Sequence, residues 1–311
     1  MTAPEISHYN YDPSIPAAAL FGALYLLAAF ATLFQWIKYR AWVWFVMVFA
    51  AFMEGIGYLL RIWSIKNVTK KPPYVAQFAL IVLAPVLMAA GFYVVFGRIV
   101  YHVVPPAERK ARVLWVSPRF VTPIFVTSDV ICLFLQLVGA IKVSSINPTD
   151  PNASEEANKG RNIALIGVVL QLVVFGFFCI TAARFNFTSR AFLADYEKRI
   201  NAPTDAKYVQ IDDYPKKVKK NWQQLLLAVN IGCGLILVRT IYRTVDFSLG
   251  RKGYTEEHEW CAYVFDALPI LPCVAMFIFI HPGKYLPYLS FRLPKHARQA
   301  AHDNIEMGQS N

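Results

Sequence analysis

Three carboxylates stand where water is scarce. Glu54, Asp129 and Asp266 each fall inside a stretch of about twenty apolar residues, long enough to cross a bilayer. A carboxylate in such surroundings can hold an ammonium group, carry a proton or pair with a buried guanidinium, so each is a functional candidate by default. Arg61 follows Glu54 by two helical turns, about 10.5 Å along the same face, too far for a direct pair. Gly55, Gly57 and Tyr58 lie between them, and the glycines let a neighbouring helix or a ligand approach closely. Asp129 and Gln136 repeat the same spacing, followed by Gly139. Arg239 and Arg243 share a face one turn apart, with Asp246 about a turn further on if the helix continues. Gln77 and Gln171 add amides in two other apolar stretches.

These groups define a candidate substrate-binding set: Glu54, Tyr58, Arg61, Asp129, Gln136, Gln171, Arg239, Arg243 and Asp266. The same residues would also serve as interhelical ion pairs and hydrogen bonds that fix helix register, worth about 0.6–2 kcal/mol each. The two roles are compatible, and both stay open. Arg98, Arg119, Lys142, Arg161 and Arg184 sit near the ends of apolar stretches and can snorkel to headgroups.

Other chemistry finds no residues to support it. The histidines (His8, His102, His258, His281, His296 and His302) are outside the middle of any apolar stretch, and no two have metal-ligand spacing. That argues against a seven-helix zinc hydrolase. No phosphate-binding G-x-x-x-x-G-K-[ST] loop is present, which argues against an ATP-driven pump. Cys132, Cys179, Cys233, Cys261 and Cys273 lie in or beside apolar stretches and suggest packing, with no disulfide framework. We therefore expect no catalytic residues, no metal and no cofactor, and a protein that is not an enzyme. His281, beside Pro282-Gly283, is expected to cap the end of the last helix.

The elements that must position the candidate set are seven apolar stretches: 15–36, 42–63, 75–101, 119–142, 161–185, 222–242 and 260–281. None alternates with period two, which argues against a membrane barrel. The whole 311-residue composition agrees. It is 56% hydrophobic and only 16% charged, against about 25% charged in soluble domains. The net charge of +11 would suit a nucleic-acid binder only if the basic residues shared helices with a soluble core, and they do not. The fold class is thus all-α, a polytopic seven-helix membrane bundle.

The orientation follows from the loops. Placing the N-terminus outside puts 17 Lys and Arg in the inner loops and 7 in the outer ones, the asymmetry of the positive-inside rule. Residues 1–14 are then extracellular, 15–284 form the membrane domain and 285–311 form a cytoplasmic tail. Residues 1–14 lack the basic n-region of a cleavable signal, so the first stretch is expected to be retained. Asn152 and Asn67 head outer-loop N-x-[ST] sequons and are glycosylation candidates. In this frame Arg61, Gln136, Arg239 and Asp266 fall in the outer half of the bilayer, with Glu54 and Asp129 near its middle. The implied feature is a polar cavity open to the outer leaflet. Lys216, Lys217, Lys219 and Lys220 precede Trp222, a polybasic run with an expected interfacial aromatic. Residues 285–298 mix Tyr285, Leu286 and Leu289 with basic residues and suggest an interfacial segment. Pro85, Pro269 and Pro272 mark expected kinks or cavity walls.

Ordered motifs, roughly one per helix, carry a resemblance. They are Glu54-Gly-Ile-Gly-Tyr58-Leu-Leu-Arg61, Ala84-Pro85 with Tyr93 and Gly97-Arg98, and Asp129…Gln136…Gly139-Ala140. Then come Gly160…Gly167…Gln171, Arg239…Tyr242-Arg243, His258-Glu259, Tyr263…Asp266…Pro269 and His281-Pro282-Gly283. Over residues 9–284 the chain resembles the fungal lipid-translocating exporter, or RTA-like, family. Asp246 stands where that family usually has Glu, which keeps the charge and shortens the reach. The resemblance implies a plasma-membrane protein that moves amphiphilic lipids, sphingoid long-chain bases first among them, and contributes to resistance to toxic amphiphiles. It leaves open a porphyrin transporter, or a lipid-sensing receptor or regulator of lipid asymmetry. The expected partner is a lipid or amphiphilic small molecule and not a nucleic acid.

Overall fold

In the computed structural model, seven helices are long and apolar enough to cross a membrane. The structure describes residues 9, 11–105, 108–109, 114–116, 118–144, 153–200, 203, 205–210, 217–250, 253–287 and 289. The helices are α1 (Ile15–Tyr39), α2 (Phe45–Lys66), α3 (Lys71–Val103), α4 (Pro118–Ser144), α5 (Ala153–Thr188) and α6 (Trp222–Leu249). The seventh, α7, runs Glu259–Ala262, then a π-helical turn Tyr263–Ala267, then Leu268–Phe279. The chain is an integral membrane protein. Lipid-facing side chains such as Leu27, Phe34, Phe134 and Val173 are apolar and exposed, as a bilayer requires and water would not favour.

Sequential helices pack side by side, α1 against α7 closes the ring, and α3 lies inside it against α2, α4 and α6. Two aromatic clusters fill the interior. Trp44, Phe92 and Phe277 meet at one level. Tyr93, Phe125, Phe175 and Phe178 meet at another. The long loop between α5 and α6 folds back as a short helix, Leu193–Lys198, and a two-residue antiparallel ladder, Tyr208–Val209 with Val218–Lys219. At the far end of α7 His281 is buried, and its Nδ1 accepts the Gly283 N–H at 3.0 Å.

Several elements differ from expectation. Residues 153–160, expected in a loop, are the first turns of α5. Glu155 and Glu156 favour the helix N-terminus there, and both pair with Lys159 at 2.8 and 3.1 Å. Glu156 also reaches Lys142 of α4 at 3.0 Å. Trp222 is not interfacial. It is buried, with its ring 6.1 Å from Tyr196, because the folded-back loop covers it. Tyr285, Leu286 and Leu289, expected at an interface, are likewise buried in the core. Arg161 also has a protein partner: its guanidinium bonds the Phe247 carbonyl at 3.1 Å and the Ser248 carbonyl, satisfying the end of α6. Arg184 lies over the Trp115 ring at 4.2 Å. Asn67 is the C-cap of α2 and donates to the Trp63 carbonyl at 3.1 Å. Asn152, Arg119's side chain, Lys216 and most of the 285–298 segment lie outside what is described.

Glycine allows the closest helix approach, between α4 and α5. A Cβ on Gly139 would stand 2.6 Å from the Ala164 backbone nitrogen, and one on Gly167 2.8 Å from the Cys132 carbonyl. Gly139→Val is therefore expected to push α4 and α5 apart at a cost of about 1–3 kcal/mol or more. Thermal unfolding of the purified variant in detergent checks this, and an unchanged midpoint would contradict it.

Candidate functional site

The site forms at the end of the bundle where α1, α3, α5 and α7 begin. Its centre is an arginine–carboxylate clamp. On α6, Arg239 and Arg243 lie one turn apart and face α7. Asp266 reaches both: Arg239 Nε is 2.5 Å from its Oδ1, and Arg243 closes on its Oδ2. Asp266 is 3% exposed, so both charges are paired away from water. Arg239 also donates to the Ile81 carbonyl of α3 at 2.6 Å, and Arg243 stands 3.7 Å from Asp246. The π turn positions Asp266. Leu268 N–H reaches back five residues to the Tyr263 carbonyl, and Pro269, lacking an N–H, follows immediately. Tyr25 of α1 steadies the turn by donating to the Ala267 carbonyl at 2.6 Å.

A clasp lies beyond the clamp. Arg61, near the end of α2, donates to Glu259 at 3.0 Å, to the Tyr11 hydroxyl at 2.8 Å and to the Tyr263 hydroxyl at 3.3 Å. Its guanidinium also lies over the Tyr9 and Tyr263 rings. Tyr9 donates to Ser64 and accepts from Gln77, both at 2.9 Å. Burial pushes the Tyr9 and Tyr11 phenols above their ordinary range, with Arg61 pulling each back. Both therefore stay protonated near neutral pH and bond as neutral hydroxyls.

Two clefts flank the clamp. One is walled by Tyr9, Tyr11, Tyr58, Arg61, Gln77, Arg243 and Asp266. The other lies between α3, α4, α5 and α6 and is lined by Pro85, Gln136, Gln171, Phe175, Arg239 and Arg243. Arg243 belongs to both, so the clamp is the partition between them.

A family described as RTA1 like protein matches residues 47–288, from early α2 to beyond the end of α7. The chain belongs to the RTA1-like family. Protein RTM1 and Protoporphyrin uptake protein 1, both of Saccharomyces cerevisiae, are each 32% identical to it, over 75% and 72% of this chain and 65% and 64% of their own. The Sphingoid long-chain base transporter RSB1 of the same yeast is 24% identical over 77% of this chain and 64% of its own. The chain thus spans just under two thirds of the length of each of these three relatives. No solved structure matches it.

In this RTA1-like bundle the candidate residues form two groups and two separate carboxylates. Arg61, Tyr58, Arg239, Arg243 and Asp266 come together around the first cleft and the clamp. Tyr58 stacks on Tyr25 with ring centroids 5.6 Å apart. Gln136 and Gln171 pair at 2.9 Å and line the second cleft. Asp129 stands apart. It lines neither cleft and accepts from Tyr93 at 2.7 Å among the rings of Phe125, Phe175 and Phe178, so a single polar cavity holding all nine residues is not what the structure shows. Glu54 is 2% exposed and also lines neither cleft. It interacts electrostatically with Arg239, Asp266 and Arg243, yet among the described residues it forms no hydrogen bond or ion pair.

Sequence reasoning missed Glu259, Tyr9 and Tyr11. Glu259 sat one residue outside the expected seventh stretch, although the His258-Glu259 motif pointed to it. The tyrosines belonged to a segment read only as an extracellular N-terminus.

Proposed function

We propose that this RTA1-like protein transports amphiphilic lipids across the membrane, that sphingoid long-chain bases are its first substrate class, and that it breaks no bonds. One observation carries the reading. Two clefts, one polar and one mostly apolar, meet at a single arginine–carboxylate partition inside the bilayer. The names of two relatives, a sphingoid long-chain base transporter and a protoporphyrin uptake protein, support transport of an amphiphile. With the N-terminus outside, the first cleft faces the outer surface and the second faces lipid. A long-chain base would lay its alkyl chain along Pro85, Val86 and Phe175 and its hydroxyls against Gln136 and Gln171. Its ammonium would then compete with an arginine for Asp266. The plasma membrane is the proposed site, where export would lower the burden of toxic amphiphiles. The three arginines favour a second reading, since they would pair with porphyrin propionates once released from their own carboxylates.

Reconstitution of the full chain in liposomes, with labelled phytosphingosine, phospholipid and porphyrin in parallel, separates these readings. Phytosphingosine flux several-fold above protein-free liposomes supports the first. Faster porphyrin flux supports the second. Binding of these ligands without movement of any of them points to a receptor and sinks transport. In the same assay Gln171→Leu is expected to raise the KM for phytosphingosine roughly 2- to 10-fold, the worth of one neutral hydrogen bond, and to lower stability by about 1–3 kcal/mol because the buried Gln136 amide loses its acceptor. An unaltered KM would remove Gln171 from the site.

A further inference from the structure

Glu54 is a buried carboxylate near the clamp that, among the described residues, no arginine holds. Glu54 lies one turn from Tyr58, whose ring stacks on Tyr25 at 5.6 Å, and Tyr25 bonds the Ala267 carbonyl beside Asp266; the charges that act on it are Arg239 and Arg243 from α6 and Asp266 from α7. Among the described residues, α3 adds no charged group to this set. Asp266 already engages both arginines, and Asp246 takes a further share of Arg243. With Asp246 counted, Glu54, Asp266 and Asp246 stand against Arg239 and Arg243 among these described groups. With all five ionised, this set carries one uncompensated negative charge, and Glu54 is 2% exposed. Burying an unpaired charge costs several kcal/mol, so an ionised Glu54 favours binding one further positive charge.

Two chemical species can supply that charge. A proton on the Glu54 carboxyl oxygen makes the cluster neutral and leaves both arginines to Asp266, which closes the partition. If Glu54 is ionised, it draws on Arg239 and loosens the clamp, and Asp266 becomes available to a substrate ammonium. The ammonium again makes the cluster neutral. The two states hold the same charge and exclude one another.

We propose that Glu54 is a proton-binding site whose occupancy alternates with that of a cationic amphiphile, making the protein an electroneutral exchanger of one proton for one ammonium. The balance is complete. One proton enters as one ammonium leaves, no electrons move and no net charge crosses the membrane. The inference rests on the transporter reading above, so its test pairs a flux measurement with one that does not depend on flux.

The full chain is placed in proteoliposomes with labelled phytosphingosine outside and a pH-sensitive dye inside. A gradient of about one pH unit, acidic inside, should drive up to tenfold accumulation on the acidic side at one-for-one exchange, with dye-reported proton movement in the opposite direction. Glu54→Gln mimics the protonated state and keeps the partition closed, so it should lose downhill flux, accumulation and dye signal together, and Glu54→Asp should restore them in part. Independently, pH-difference infrared spectra of the purified protein should show a protonated-carboxyl band that Glu54→Gln removes. Accumulation by Glu54→Gln equal to wild type would overturn the coupling, as would an unchanged carboxyl band. Should Glu54→Gln fail to fold, Glu54→Asp carries the test: a pH dependence of exchange identical to wild type would overturn it. A band that Glu54→Gln removes, with no flux of any probe by the wild type, would uphold the proton site and refute transport.

Discussion

Asp266→Asn is expected to destabilise the protein by about 3–5 kcal/mol, the cost of leaving buried guanidiniums without their counter-charge. Asp266 faces Arg239 at 2.5 Å and closes on Arg243, with only 3% of its surface exposed. An amide of the same shape keeps one acceptor and loses the charge, so packing changes little and the electrostatic loss stands nearly alone. The matched double variant Asp266→Leu with Arg239→Met should recover most of that stability. It removes a charge of each sign, and Arg243 keeps Asp246 at 3.7 Å. Thermal unfolding in detergent, with single and double variants side by side, measures the difference. A double variant no more stable than the single would show that the clamp's worth is geometric and not electrostatic.

The second large effect is expected at Arg61. Arg61→Met removes at once its bonds to Glu259, Tyr11 and Tyr263. Hydrogen bonds to charged groups contribute about 1.5–3 kcal/mol each, and these three share one guanidinium, so the summed loss should be near 3 kcal/mol. The consequence is local. Tyr11 and Ser14 are tied to the bundle through Arg61 and Glu259, the latter accepting from the Ser14 N–H at 2.8 Å. Amide exchange over residues 11–14 should accelerate roughly 100-fold, the factor that 3 kcal/mol gives for local opening. Glu259→Gln, which retains an acceptor, should accelerate exchange much less. Equal rates in Arg61→Met and wild type would mean that the segment is held by the Tyr9 contacts to Ser64 and Gln77 alone.

The bundle was legible because lipid imposes a simple rule. Each crossing needs about twenty apolar residues, and any ionisable side chain among them must be accounted for. That rule marked Asp266, Arg239 and Arg61, and helical spacing correctly put Arg239 and Arg243 on one face. Which groups pair across helices was not legible, because pairing depends on the rotation of each helix and one sequence does not encode it locally. Asp129 and Asp266 look alike as sequence, yet one meets a tyrosine among aromatic rings and the other meets two arginines. Arg161 reads as a snorkelling residue in sequence, and only the neighbouring end of α6 reveals the carbonyls it also satisfies. The π turn had a visible cause in Pro269, but its effect of carrying Asp266 to α6 required the fold.

We propose that the amphiphile passes between the two clefts through the Asp266 clamp. The most direct test is the initial rate of labelled phytosphingosine flux through proteoliposomes of the Asp266→Leu/Arg239→Met double variant, compared with wild type at equal protein incorporation. The clamp account predicts a well-folded variant whose flux falls at least tenfold, about 1.4 kcal/mol or more of lost discrimination at the partition. Flux equal to wild type in that folded variant would place the path elsewhere in the bundle.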